Sequence, residues 1–322
     1  MSRLSALPDP FEGLRSARAG PRAAASSTVE WVVHFATAVL DAFAEGFRII
    51  GREPKAAAIW FLFWVAAIAS AAILAAIGPR VTPGDTMNGR TLAEFLDHRG
   101  PTAIPFVVIL LLVWGVHTVA VYRAVLRPSE RRWGYVRLGR DEVRMSVMTL
   151  ALFGLVLVFG GAPAYLLLVV FNPLAEALPA FAREIAGVGA LATVAIEVWL
   201  GVRLSLIAVE TVAERRFHLT AYWPLVEGRF WYLLANYFLW FLLLFALLIP
   251  VFLIGGAISQ AAVNLAMDDP SPRRVALLIS AAVALTALTA AFWMLSLTVI
   301  CACQAYAFRA IVGQGRSDVV IS

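Results

Sequence analysis

Apolar and polar positions follow two different patterns along this chain. Between Thr28 and Ile50, Ala36, Leu40, Phe43, Phe47 and Ile50 recur at i, i+4, i+7, i+11 and i+14, while Asp41, Glu45, Arg48 and Arg52 share the opposite face. That spacing predicts an amphipathic helix, too polar to cross a bilayer and suited to lie along its surface. Beyond it the polar face disappears. Six apolar runs follow, over 56–78, 103–125, about 146–171, about 187–208, Phe230 to about Gly256, and about Val275 to Phe308. Each approaches or exceeds the roughly 20 residues a helix needs to cross the hydrocarbon core. The last is longer than one crossing, so its final turns are expected to emerge into the interface. Residues 1–27 and 314–322 lack such runs. They read as tails, the first disordered and without a signal-peptide core.

The expected fold class is therefore all-α: a polytopic membrane protein with six transmembrane helices. Composition agrees, with 61% hydrophobic and 15% charged residues and a mean hydropathy of +0.82. A soluble domain has about 25% charged residues. The net charge of +5 raises a nucleic-acid reading, which the arginine positions exclude. They flank the ends of the apolar runs and do not form one basic face. With the N-terminus inside, 20 Lys and Arg fall on the inner side and 6 on the outer. This bias predicts that both termini are cytoplasmic.

The polar joints repeat. Gly51-Arg52, Gly139-Arg140 and Gly228-Arg229 are 88 and 89 residues apart, and Arg123, Arg203 and Arg309 stand at the exits of the even-numbered runs. A surface helix, Gly-Arg, span, outer loop, span and arginine recur three times. This divides a single domain, 28–313, into repeats of about 28–125, 126–208 and 209–313. Glycine could end each surface helix and let the chain turn into the bilayer. The arginines Arg52, Arg140, Arg229, Arg123, Arg203 and Arg309 then suit phosphate headgroups, either as general anchors or as a specific site.

The stretches "RAVLRPSERRWGYVRLGRDEVR" and "VRLSLIAVETVAERRFHLTAYWPLVEGRFW" resemble a group of alphaproteobacterial multi-pass proteins. Those are similar to the membrane domain attached to some bacterial glycerophosphoryl diester phosphodiesterases. The resemblance covers roughly 30–322 and rests on helix-boundary residues. It implies a bacterial inner-membrane location. The hydrolase activity of such proteins lies in a separate barrel for which this chain has no room, so it is not carried over.

Few groups could carry chemistry. His117 in the second run and Glu197 in the fourth both lie six residues before an exit arginine, which puts them at similar depth. A hydrogen bond between them is expected, serving either as a structural clasp or as the core of a polar site. His34, His98 and His218 lack metal-ligand spacing, and Cys301-x-Cys303 reads as packing, so neither a metal nor another cofactor is expected. In the charged joint 135–145, Asp141 and Glu142 are expected to make exposed pairs of little weight with nearby arginines. No catalytic constellation is visible. The leading expectation is a non-enzymatic scaffold or accessory protein that engages membrane lipids or a membrane-protein partner at the cytoplasmic face. The alternative is a transporter of a small solute or lipid with a mid-membrane site at His117 and Glu197.

Overall fold

The computed structural model describes residues 21–77, 92–137, 139–156, 158, 182–215, 226–227, 229–266 and 271–320. The described residues are helical, with no strand among them. The helices are α1 (Pro21–Arg52), α2 (Pro54–Ile77), α3 (Leu92–Leu126), α4 (Arg140–Val156), α5 (Ala182–Leu204), α6 (Ile207–Glu214), α7 (Phe230–Ala266) and α8 (Pro272–Val320). A 3-10 turn, Arg132–Tyr135, lies between α3 and α4.

Among the described residues, four stretches are long and apolar enough to cross a membrane: Val108–Leu126, Gly187–Glu214, Phe230–Ala261 and Pro272–Val312. A fifth is obtained if α1 and α2, bent by 95°, form one. Most of the expected third span lies outside the described residues, α4 covering only its beginning. Helix α1 starts at Pro21, ahead of the expected Thr28, because "PRAAASS" supplies a proline for the first turn and good helix formers after it. Helix α8 likewise runs on to Val320, through all but the last two residues of the expected C-terminal tail.

The corner between α1 and α2 is built by one residue. The Glu53 N–H donates to the Ile49 carbonyl (2.8 Å) and closes α1, while its own carbonyl accepts from Ala57 (3.0 Å) and opens α2. Pro54 has no N–H to continue the first helix and is suited to the first position of the next. Gly51 is not the turning point. It sits inside α1 without a left-handed backbone, so the expected role of glycine in ending this helix passes to the Glu53-Pro54 pair.

Burial on α1 also differs from the apolar stripe. Val39, Ala42, Gly46 and Ile49 are buried, whereas Leu40 and Phe47 are exposed. Leu40 and Phe47 are left facing outward, and the stripe that includes Ala42 and Gly46 takes the protein contact. Gly46 shows why. A Cβ there would stand 2.5 Å from the Val299 Cα, so the backbones of α1 and α8 approach more closely than any side chain allows.

Contacts divide the chain into two units: Gly46–Ser146 with Leu239–Cys301, and Met1–Glu45 with Val147–Phe238 and Ala302–Ser322. In the first, α2, α3 and the 3-10 turn pack on one another. Trp60, Trp64, Val119, Tyr122, Tyr135 and Leu297 are buried there. Burial stops along the same unit's helices, because Phe252 and Leu253 on α7 and Ile279 and Val283 on α8 are exposed. In the second unit, Val202, Leu206, Val209 and Leu233 are buried, while Val188, Leu191 and Val194 on α5 are exposed.

Candidate functional site at the α3–α4 joint

The segment from Arg123 to Arg144 is a buried ion cluster with a basic exterior. Arg123, in the last turn of α3, is 4% exposed, and so is Glu142 in the first turn of α4. Their side chains form a direct ion pair. Arg123 also donates to Asp141 Oδ2 (3.1 Å) and to the Tyr135 carbonyl (3.3 Å). Asp141 is shared with Arg144 (3.3 Å) and lies 3.8 Å from Arg127. Glu130 pairs with Arg137 at 3.2 Å. The expectation of exposed pairs is therefore corrected for Arg123 and Glu142. Removing one partner of a buried pair strands the other charge, at a cost of about 3–5 kcal/mol.

Glu142 has a second task. Its other carboxylate oxygen accepts the Gly139 N–H at 2.9 Å, while the Val143 N–H bonds the Gly139 carbonyl at 3.2 Å. Gly139 is thus the N-cap of α4, and Glu142 reaches back to it from the third helical position, as in one half of a capping box. Gly139 opens a helix, whereas Gly51 lies within one, so these two Gly-Arg dipeptides do different work. Gly228 lies outside the described residues.

The 3-10 turn holds three successive residues in left-handed backbone: Trp133 (φ 53), Gly134 (φ 62) and Tyr135 (φ 64). Gly134 is there because a Cβ would meet Ala56 Cα at 3.1 Å and Ile59 Cδ1 at 3.0 Å on α2. Its carbonyl accepts the Trp60 indole N–H at 2.8 Å. Arg131 donates to both carboxylate oxygens of Glu53, from Nε at 2.9 Å and from Nη2. That hydrogen bond raises the arginine pKa above its ordinary value. Tyr135 is buried and its hydroxyl faces the Pro128 carbonyl at 3.4 Å. Burial pushes this phenol up as well, so it stays protonated as a donor. The price of this strained backbone, about 1–3 kcal/mol for each left-handed non-glycine residue, is met by these fixed contacts. Its product is outward-facing: the Trp133 indole is 82% exposed between exposed Arg131 and Arg132 and the further exposed Arg137 and Arg140. Arg132 and Arg140 have no side-chain partner among the described residues.

The other expected site residues are dispersed. Arg52 is exposed at the end of α1, beside the Glu53 corner, and Arg309 is exposed on α8. Arg203 is partly buried over the Trp199 ring, 5.6 Å from its centroid. Arg229 is partly buried, and its backbone joins Val226 to the first turn of α7 (3.1 Å on each side). Glu197 is exposed on α5.

His117 is buried under the joint. Its Nε2 lies 3.2 Å from Thr298 Oγ1, and that hydroxyl spends its proton on the Met294 carbonyl at 2.6 Å. The imidazole must therefore donate from Nε2, which leaves Nδ1 as an acceptor with no partner among the described residues. The expected bond from His117 to Glu197 is replaced by this bond to Thr298. Two indoles meet the imidazole edge-on, Trp60 at 5.4 Å and Trp64 at 6.2 Å between ring centroids. Trp60 thus touches His117 with its ring and the joint with its N–H.

The two cysteines have different partners. Both are buried. The Cys301 thiol lies 3.7 Å from the Thr118 hydroxyl, and the Cys303 thiol donates to Asn236 Oδ1 at 2.9 Å. Sequence reasoning underweighted Glu53, Trp60, Trp133 and Glu142. The spacing Gly139-x-x-Glu142 and the proline after Glu53 were the available signals.

No protein-family model, curated protein or solved structure matches this chain.

Proposed function

We propose that the chain is a non-enzymatic scaffold or accessory protein of the bacterial inner membrane. In this reading six spans are arranged as three helical-hairpin repeats, and both termini are cytoplasmic. The α3–α4 joint is the surface that engages anionic lipid headgroups. The supporting observation is the way the joint sorts its charges. Asp141 and Glu142 are taken up by Arg123, Arg127 and Arg144, and Glu130 by the exposed Arg137, while Arg132 and Arg140 have no carboxylate partner among the described residues and stand exposed with the Trp133 indole. An exposed indole flanked by guanidinium groups suits the headgroup layer, where the ring sits among glycerol and carbonyl groups and the cations meet phosphate.

Mass spectrometry of lipids retained on the purified protein tests this reading. Anionic phospholipid should be enriched over its share of the membrane, and the Arg132→Ala, Arg140→Ala double variant should lose most of that enrichment. Retained lipid of bulk composition in both proteins would refute the headgroup role.

A second reading, transport of a small solute or lipid, is favoured by one observation: the His117 Nδ1 and the Trp64 indole N–H are both buried without a hydrogen-bond partner among the described residues, on rings whose centroids are 6.2 Å apart. A donor and an acceptor so placed suit a small polar guest. Solute uptake that vanishes in His117→Phe, with the folded fraction unchanged, would favour transport over scaffolding.

A further inference from the structure

The corner between α1 and α2 and the α3–α4 joint share one charged surface. Between Arg52 and Lys55, and between Arg127 and Arg144, every exposed charge is positive, while Glu53, Glu130, Asp141 and Glu142 are partly or fully buried. Glu53 and Arg131 join the two segments through two hydrogen bonds. A further cation stands beside the pair on each segment. Lys55 is two residues after Glu53, and Arg132 is one residue after Arg131. Neither has a side-chain partner among the described residues. The backbones also touch. A Cβ on Gly134 would stand 3.1 Å from the Ala56 Cα, so three chain steps and one contact separate Lys55 from Arg132.

Lys55 does not serve its own helix. A cation in the first turn opposes the helix dipole, and α2 has no acidic residue there to offset it. No other charged residue occurs in α2. Arg132 lies six residues past Leu126, where a candidate span ends. Both cations therefore stand where an apolar helix gives way to polar chain, and the exposed Trp133 indole is next to Arg132. Basic side chains and tryptophan in that position belong to the headgroup layer, which selects a lipid over a soluble partner.

We propose that this surface takes a phospholipid whose headgroup carries two phosphates joined through glycerol. The inference rests on the headgroup reading and names the lipid. A lipid with one phosphodiester carries one negative charge, which either side of the surface would match alone. The neutral Glu53–Arg131 pair divides the remaining positive charge into two sides, Lys55 at the corner and Arg132 with Arg140 at the joint. Two linked phosphates match both sides in one molecule, and the linkage makes the second contact intramolecular. Lysine meets its phosphate as a point charge, and the guanidinium groups meet theirs as planar forks.

Lys55 is the only lysine in the chain, so an amine-acylating reagent reads this site directly. The full chain is placed in phosphatidylcholine vesicles that hold either diphosphatidylglycerol or twice as many molecules of phosphatidylglycerol. Anionic charge is then equal, and the surface potential, which slows any exposed amine, cancels from the comparison. Mass spectrometry follows acylation of Lys55 relative to the α-amino group of the chain. The rate should be about fivefold lower with diphosphatidylglycerol, the effect that one cation on an anionic surface supports. Arg132→Gln, an exposed change on the other segment, should bring the two lipids level, because only a ligand touching both segments transmits it to Lys55. Equal rates in the parent protein, an unchanged ratio in Arg132→Gln, or equal slowing by dissolved pyrophosphate would each overturn the proposal. The lipid retained on the purified protein separates the causes. Anionic enrichment with equal acylation rates leaves the headgroup reading standing, whereas bulk composition removes both.

Discussion

The two ends of the Gly46–Ser146 and Leu239–Cys301 unit are built on opposite principles. At the joint end, individual polar contacts decide the structure: Arg123 with Glu142, Trp60 with the Gly134 carbonyl, His117 with Thr298. Further along α7 and α8 the described surface carries large exposed apolar side chains, among them Phe252, Leu253, Ile279 and Val283. Lipid solvates an apolar side chain about as well as a protein interior does, so burial there provides little net drive. The lesson is that position and register are set where polar groups must be matched. The remaining length of each helix only has to be apolar.

That contrast can be broken most sharply at Glu142. Glu142→Ala removes the partner of a buried arginine and the cap of α4 together, and should destabilise by about 3–5 kcal/mol. Unfolding exposes Cys301 and Cys303, so the rate of labelling by a thiol-reactive dye in detergent reads it directly. Labelling as slow as in the parent protein would show that the pair contributes nothing. Replacing both partners with apolar residues, Arg123→Met with Glu142→Leu, should recover much of the loss.

Gly134→Ala comes next. The new methyl group meets the α2 backbone at Ala56 from a left-handed position, and a loss of about 1–3 kcal/mol is expected from strain of this kind. A thermal-inactivation profile identical to that of the parent protein would mean that the turn can leave α2 at no cost. The smallest effect belongs to the far end. Leu253, 69% exposed, should tolerate Leu253→Val within about 0.5 kcal/mol in the same labelling assay. A large loss there would end the comparison, since it would reveal a specific contact where only lipid solvation is argued.

The sequence made some of this visible and hid the rest for physical reasons. Helical periodicity around Leu40 and Phe47 announced α1, because that signal is local; the turn after it was expected at Gly51, although the proline after Glu53 is an equally local signal and is the one that marks the corner. The pairing of Arg123 with Glu142 was foreseeable in kind, since charges 19 residues apart flank one joint. Its burial was not foreseeable, because burial depends on how the 3-10 turn folds back over α2. The partner of His117 lies 181 residues away. Equal spacing from exit arginines suggested Glu197, yet spacing measures depth and says nothing about which helix stands alongside. Gly46 carried no legible signal for the same reason: its meaning lies in Val299, on another helix.

The corner at Glu53 has a mechanical consequence. Its backbone hydrogen bonds pass from α1 into α2 without interruption, and its side chain grips Arg131 on the joint. Glu53 therefore ties three elements at a single residue, the end of α1, the start of α2 and the segment that carries the 3-10 turn, and one substitution there would release all three at once.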